Sequence, residues 1–384
     1  MIGYDRQKRA NYFHFDEIGK WKKQGWISDA EYRMLDEKLM PRYDSTNFFI
    51  RIGLFLLTTV ILSAGIGFGG LLVSGIISNS NAWFFCLMAA GGCITVLQKI
   101  VIEERNQFRS GMDDAALYGG LQFIFLAFFL LLEDIFFNDP LMISVFCFFF
   151  FLVPTRIYLD RLLTAITVFS AYAIFFFALD KLDGLWAAPF LMMAVSAIFY
   201  VASKKAIDNT KGLAHEECWW VVKWIAIVMF YAAGNCFVVI ELSVELLGIA
   251  DSSAVPFKWL FYIFTVLVPA AYIYFGLQKK HLALLNIGLL AVAVSVFSIR
   301  YYHNYVPIEL ILIIGGLFLI AIAWLALRYW KTDRKGITIK PDEVADQLIV
   351  ESLIIDQTLG VQDAPSGFEG GGGKFGGGGA SGEF

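Results

Sequence analysis

The chain is 384 residues long, 58% hydrophobic and only 17% charged, with 37 Phe, 10 Trp and a mean hydropathy of +0.65. That balance excludes a water-soluble globular chain and points to the bilayer as solvent along most of the length, not to a soluble enzyme with one anchor. A formal net charge of −4, with cations dispersed among short hydrophilic stretches, argues against nucleic acid as a partner.

Residues 1–47 are polar and charged and are predicted to form a small cytoplasmic helical hairpin. Phe13, Phe15, Ile18 and Trp21 cluster before Gly25, a natural helix stop. Ser28 and Glu31 have capping-box spacing, and Ile27 with Tyr32 has that of a hydrophobic staple, so a second helix is expected there. The unit is read either as a structural element lying on the membrane surface or loops, or as a docking site for a protein partner. No cleavable signal is recognisable, so the first spanning helix is expected to serve as its own insertion signal.

Residues 48–330 form the predicted transmembrane helical domain. Apolar runs of spanning length fall near 52–77, 82–101, 115–132, 141–157, 162–179, 185–202, 219–240, 257–277, 281–299 and 306–327. Each is continuous where a membrane barrel would alternate, so the fold class is all-α, polytopic, with about ten transmembrane helices. The fourth run is interrupted by Pro154 and Arg156, leaving open a kink or a snorkelling arginine.

Lys and Arg concentrate in alternate loops. Arg42 and Arg51, Arg105 and Arg109, Arg156 and Arg161, Lys204 and Lys205, Lys279 and Lys280, and Arg328 and Lys331 mark one side. Glu133, Asp134 and Asp139, and later Glu241, Glu245 and Asp251, mark the other. The pattern predicts a multi-pass protein of the cytoplasmic membrane with both termini cytoplasmic and membrane lipids as its surroundings.

Beyond the last run, residues 331–360 are predicted to carry an acidic helix opening at Pro341. Residues 361–384 are Gly-rich and expected to be disordered. This tail and the hairpin are the segments expected to meet a protein partner.

The letters Gly65-Ile66-Gly67-Phe68-Gly69-Gly70 match a dinucleotide fingerprint, but inside an apolar run they read as small residues for close helix packing, like Ala89 to Gly92, Gly119-Gly120 and Gly315-Gly316. His215-Glu216-Glu217-Cys218 reads as a solvated loop, since adjacent side chains diverge. Cys86, Cys93, Cys147, Cys218 and Cys236 contain no Cys-x-x-Cys pair. No metal site, cofactor or catalytic set is expected, and the chain is read as a non-enzyme.

Intramembrane polar residues carry more weight, because they are costly in hydrocarbon. Gln122, Asn235 and Asn286 are expected to hydrogen-bond to neighbouring helices. Glu241 and Glu245 share a helix face at the outer end of the seventh span. With Asn235, Arg300, His303 and Glu309 they define either a polar pocket, Arg300 pairing a carboxylate, or an ordinary aromatic belt with solvated acids.

The hairpin of Trp21, Gly25 and Ile27 ahead of many spans, followed by Arg300, Gly315-Gly316 and a basic exit, resembles the bacterial predicted membrane proteins grouped as domain of unknown function 2157. The resemblance implies a bacterial inner-membrane protein and supplies no activity or catalytic residues. Two function classes follow: an envelope accessory or scaffold protein, or a transporter of a small solute or lipid.

Overall fold

The structure is a computed structural model that describes residues 3–23, 25–44, 46–75, 81–136, 138–209, 215–247, 256–279 and 281–302, with 316 and 320. Twelve α-helices lie in these residues: α1 Arg6–Lys23, α2 Asp29–Lys38, α3 Phe48–Val73, α4 Ala82–Thr95, α5 Met112–Phe136, α6 Pro140–Tyr158, α7 Arg161–Lys181, α8 Ala188–Asn209, α9 Glu216–Gly234, α10 Cys236–Leu247, α11 Lys258–Gln278 and α12 Leu282–Tyr302. A wider-wound π stretch, Val96–Glu104, prolongs α4. No strand forms among the described residues, where β pairing is limited to an isolated bridge between Asp44 and Gln107.

Nine helical segments among the described residues are long and apolar enough to cross a membrane. They match the first nine apolar runs; the tenth, 306–327, the acidic helix and the Gly-rich tail lie outside the described residues. The fourth run is one helix, Pro140–Tyr158, long and apolar enough to cross a membrane. Pro154 lies near its end, where Thr155 Oγ1 donates to Phe151 O at 2.7 Å, and Arg156 is exposed two residues before the helix ends. The seventh run departs from expectation. It breaks after Gly234 into α9 and α10 because Asn235 takes an extended conformation, φ −80° and ψ 128°.

The bundle is built from antiparallel pairs, α4 with α5, α6 with α7, α8 with α9 and α11 with α12; α3 leans on α5, and α7 joins the two halves through α8 and α9. Buried apolar clusters fill it, among them Leu97, Phe108, Leu117 and Leu163 at one end and Cys236, Ile240 and Phe261 towards the other. The perimeter is as apolar as the core. No residue of α3 is buried, and Leu71 and Leu72 are 74% and 71% exposed. Exposed apolar area costs about 25 cal/mol per Å² in water, so a helix this bare belongs in hydrocarbon.

Close packing by small residues holds at some predicted places and fails at others. A Cβ on Gly120 would meet Ile94 at 3.1 Å, so α4 and α5 approach closely there. At Gly65, Gly67 and Gly69 nothing lies within 4 Å, whereas a Cβ on Gly70 would meet the Phe85 ring at 3.3 Å, so of this run only Gly70 meets a neighbouring helix.

Candidate functional site

Three polar assemblies carry whatever chemistry the described residues offer. The first joins the N-terminal segment to one end of the bundle. Gly3 N donates to Gln98 Oε1 at 3.0 Å, Asp5 N to Tyr43 Oη at 2.9 Å and Lys8 Nζ to Asn106 Oδ1 at 2.6 Å. Tyr4 sits edge-on to Tyr43 and Phe108, and Phe13 also packs on Phe108.

Asp113 is the centre of this joint. Its buried carboxylate accepts from Tyr4 Oη at 2.7 Å, Arg109 N at 2.6 Å, Ser110 N at 2.9 Å, Ser110 Oγ at 3.2 Å and Gly111 N at 3.0 Å. It thereby serves the loop amides that open α5, where a negative charge is favoured by the helix dipole. Gly111 is required beside it: φ is +90°, and a Cβ would lie 2.1 Å from Arg51 O.

Ion pairs extend the joint. Arg51 binds Asp114 through Nε at 3.0 Å and Nη2 at 2.6 Å. Glu217 takes Arg109 and, through Nη2 at 2.9 Å, Arg161. The His215–Cys218 segment is therefore not the solvated loop expected from sequence. Glu217 stands on the first turn of α9, which turns it towards two arginines, and Cys218 is buried.

Burial and the adjacent Asp113 carboxylate hold the Tyr4 hydroxyl well above its usual range. Burial lowers the Arg9 guanidinium, and burial with Arg9 and Arg6 nearby lowers the His215 imidazole.

The second assembly surrounds the helix break. Fully buried Asn235 accepts at Oδ1 from Phe237 N at 2.9 Å, Val238 N at 3.3 Å and Ser298 Oγ at 3.0 Å; its Nδ2 donates to Tyr231 Oη at 2.8 Å. Tyr231 Oη reaches Ala291 O at 2.9 Å and Ser295 Oγ at 2.9 Å. Cys236 N donates to Thr265 Oγ1 at 2.8 Å. Asn235 thus caps α10 while tying α9 to α12, the interhelical role expected of it. Gln122 and Asn286, given the same expectation, are exposed on the outer face instead. A network of neutral groups that satisfy one another holds a bend and offers no charge for chemistry.

The third lies where the polar pocket was predicted, and the structure describes four of its six residues. Glu241 accepts a hydrogen bond from Tyr302 Oη at 2.6 Å, linking α10 to α12. Tyr302 is two residues beyond Arg300 on α12, about 200° further round the helix, and is the residue that meets Glu241 on α10. Glu245 is exposed and Arg300 half-buried; His303 and Glu309 lie outside the described residues.

Among the described residues no three His, Cys, Asp or Glu side chains gather where a metal ion could sit. Asp113 and the Arg109–Glu217–Arg161 set were missed by sequence reasoning. Ser110-Gly111 followed by paired aspartates before an apolar run is the capping signal that could have located the first. Comparison with protein-family models, curated proteins and solved structures found no match for the chain.

Proposed function

We propose that the chain is a non-enzymatic accessory or scaffold protein of the bacterial inner membrane, holding its N-terminal hairpin out to a protein partner. The observation that carries this reading is the contrast within the hairpin. The first helix is fixed to the bundle, whereas α2 buries no residue and leaves Met34 60% exposed, beside Trp26 at 61% in the turn. Arg42 lies over Phe15 at 3.4 Å and pairs with Asp36, so α2 is held in place without being covered.

A membrane surface is the weaker occupant. Asp29–Lys38 carries Asp29, Glu31, Asp36 and Glu37 against Arg33 and Lys38, an acidic balance that anionic lipid headgroups would repel. The Lys/Arg distribution supports a cytoplasmic position for this end: Arg51, Arg109, Arg161, Lys204 and Lys279 accompany the hairpin, while Asp139, Glu241 and Glu245 lie at the far end.

The test is photo-crosslinking in living cells from a diazirine residue at Met34, with Gly19 as control. A discrete protein adduct at 34, lost on Trp26→Ser, supports the scaffold reading. Lipid adducts or none, at normal membrane abundance, refute it. Transport of a small solute or lipid is the second reading, favoured by the interrupted helix at Asn235. It is weaker because the polar atoms there are engaged with one another.

A further inference from the structure

We propose that an anionic phospholipid occupies a cleft on the bundle perimeter between α8 and α11, its acyl chain in the cleft and its headgroup at a lysine cluster on the hairpin-bearing end. The cleft is a cavity of about 280 Å³, floored by Ile227 and Phe230 of α9 and walled by Ala197 and Tyr200 of α8, Tyr272 of α11 and Leu284 of α12. Its size is near the lower end for small-molecule sites.

The lining is largely hydrocarbon, and two of its hydroxyls are already engaged. Tyr272 Oη donates to Ile227 O at 2.8 Å, and Ser196 Oγ donates to Met192 O at 2.7 Å. Val201 and Phe275, 64% and 45% exposed, stand at the rim, so the cleft opens sideways to the surrounding lipid. An apolar slot with that exit takes a chain, not a water-soluble solute.

One end of the slot is cationic. Lys279 lines the cleft with its ammonium 5.6 Å from the Phe275 ring centroid. Lys204 is one turn beyond Tyr200 on the same face of α8. Lys223 stands one turn before Ala226 and Ile227 on α9 and is only 6% exposed. Its Nζ lies 2.6 Å from His281 Nε2, 4.4 Å over the Trp220 ring and 5.9 Å from the Tyr200 ring.

No ion pair joins Lys223 to a carboxylate among the described residues. A buried ammonium whose contacts are an imidazole and aromatic rings, with Asp208 near enough to act on it only at longer range, is held at a cost. Among the described residues the other charges at this end are Lys204, Lys205 and Lys279 against Asp208 and Glu216, leaving a net cation. A phosphodiester arriving from the leaflet supplies the missing anion, and its acyl chain enters the slot beside it. This inference does not depend on the scaffold reading, since a chain without a protein partner could bind the lipid equally well.

The test is native mass spectrometry of the full chain in detergent, titrated with phosphatidylglycerol or with phosphatidylcholine of identical acyl chains, and separately with inorganic phosphate. Phosphatidylglycerol should be retained at one per chain with about tenfold preference over phosphatidylcholine. Lys279→Gln should weaken retention by about fivefold or more, as should Ala197→Trp, which plugs the slot; both positions are exposed, so both variants should fold.

Lys223→Gln, checked for an unchanged elution profile, should abolish the preference. Equal retention of the two lipids overturns the proposal, as does retention indifferent to Ala197→Trp, which would leave the slot to a protein segment such as the run at 306–327. Binding of inorganic phosphate with the same affinity as the lipid would overturn the chain-in-cleft part.

Discussion

Asn235 and Asp113 solve the same problem at different depths: each supplies acceptors to amide N–H groups where a helix begins and has no helical partner to offer. In hydrocarbon the need is greater, because no water stands in for a lost acceptor. Asn235→Leu strips the acceptor from Phe237 N and Val238 N and removes one of the three partners of Tyr231 Oη. It should cost about 2 kcal/mol and lower the detergent melting temperature by several degrees, whereas Asn286→Leu on the exposed face should change it little. Equal effects from both would mean that the network is not holding the bend.

Asn235 was legible in the sequence because a polar amide in an apolar run stands out. Asp113 was legible only as a helix cap: its place at the start of α5 carries that signal, but its burial under Tyr4 comes from a segment far along the chain. The hydrogen bond from Tyr302 to Glu241 was equally hidden, since helix phase decides which side chain of an aromatic run arrives.

At the level of elements, α11 and α12 meet through glycines that sequence reading left unmarked. A Cβ on Gly276 would lie 2.9 Å from Leu285 N, and one on Gly288 3.0 Å from Ile273 Cγ1. The first contact is with backbone, which cannot rotate away, so Gly276→Ala must push the pair apart. Its expected cost is about 1–3 kcal/mol. Gly65→Ala, with open space around it, should be neutral or stabilise by about 0.5–1 kcal/mol through helix propensity. Thermal unfolding in one detergent compares them; a Gly65 variant as damaged as the Gly276 one would show that α3 is covered by another helix.

Span positions could be read from the sequence because hydrocarbon thickness fixes the length of an apolar run. The break at Asn235 could not, because both sides of it are apolar and the signal is a single amide. Which small residues pack was equally hidden, for a glycine stripe records that close approach is allowed and not that a neighbour is there.

For the whole molecule, one physical division organises everything: the bundle perimeter from α3 to α12 faces hydrocarbon, and the hairpin at one end faces water. The bare faces of α3, the sideways opening of the cleft and the uncovered α2 all take their meaning from it. It is tested most directly by nitroxide labels at Val60, Val201, Leu290 and Met34 of the chain in lipid bilayers, comparing collision with oxygen, which partitions into lipid, and with a water-soluble nickel chelate. Oxygen should dominate at Val60, Val201 and Leu290 and the chelate at Met34. Ready access of the chelate to the first three, or its exclusion by lipid from Met34, would contradict that division.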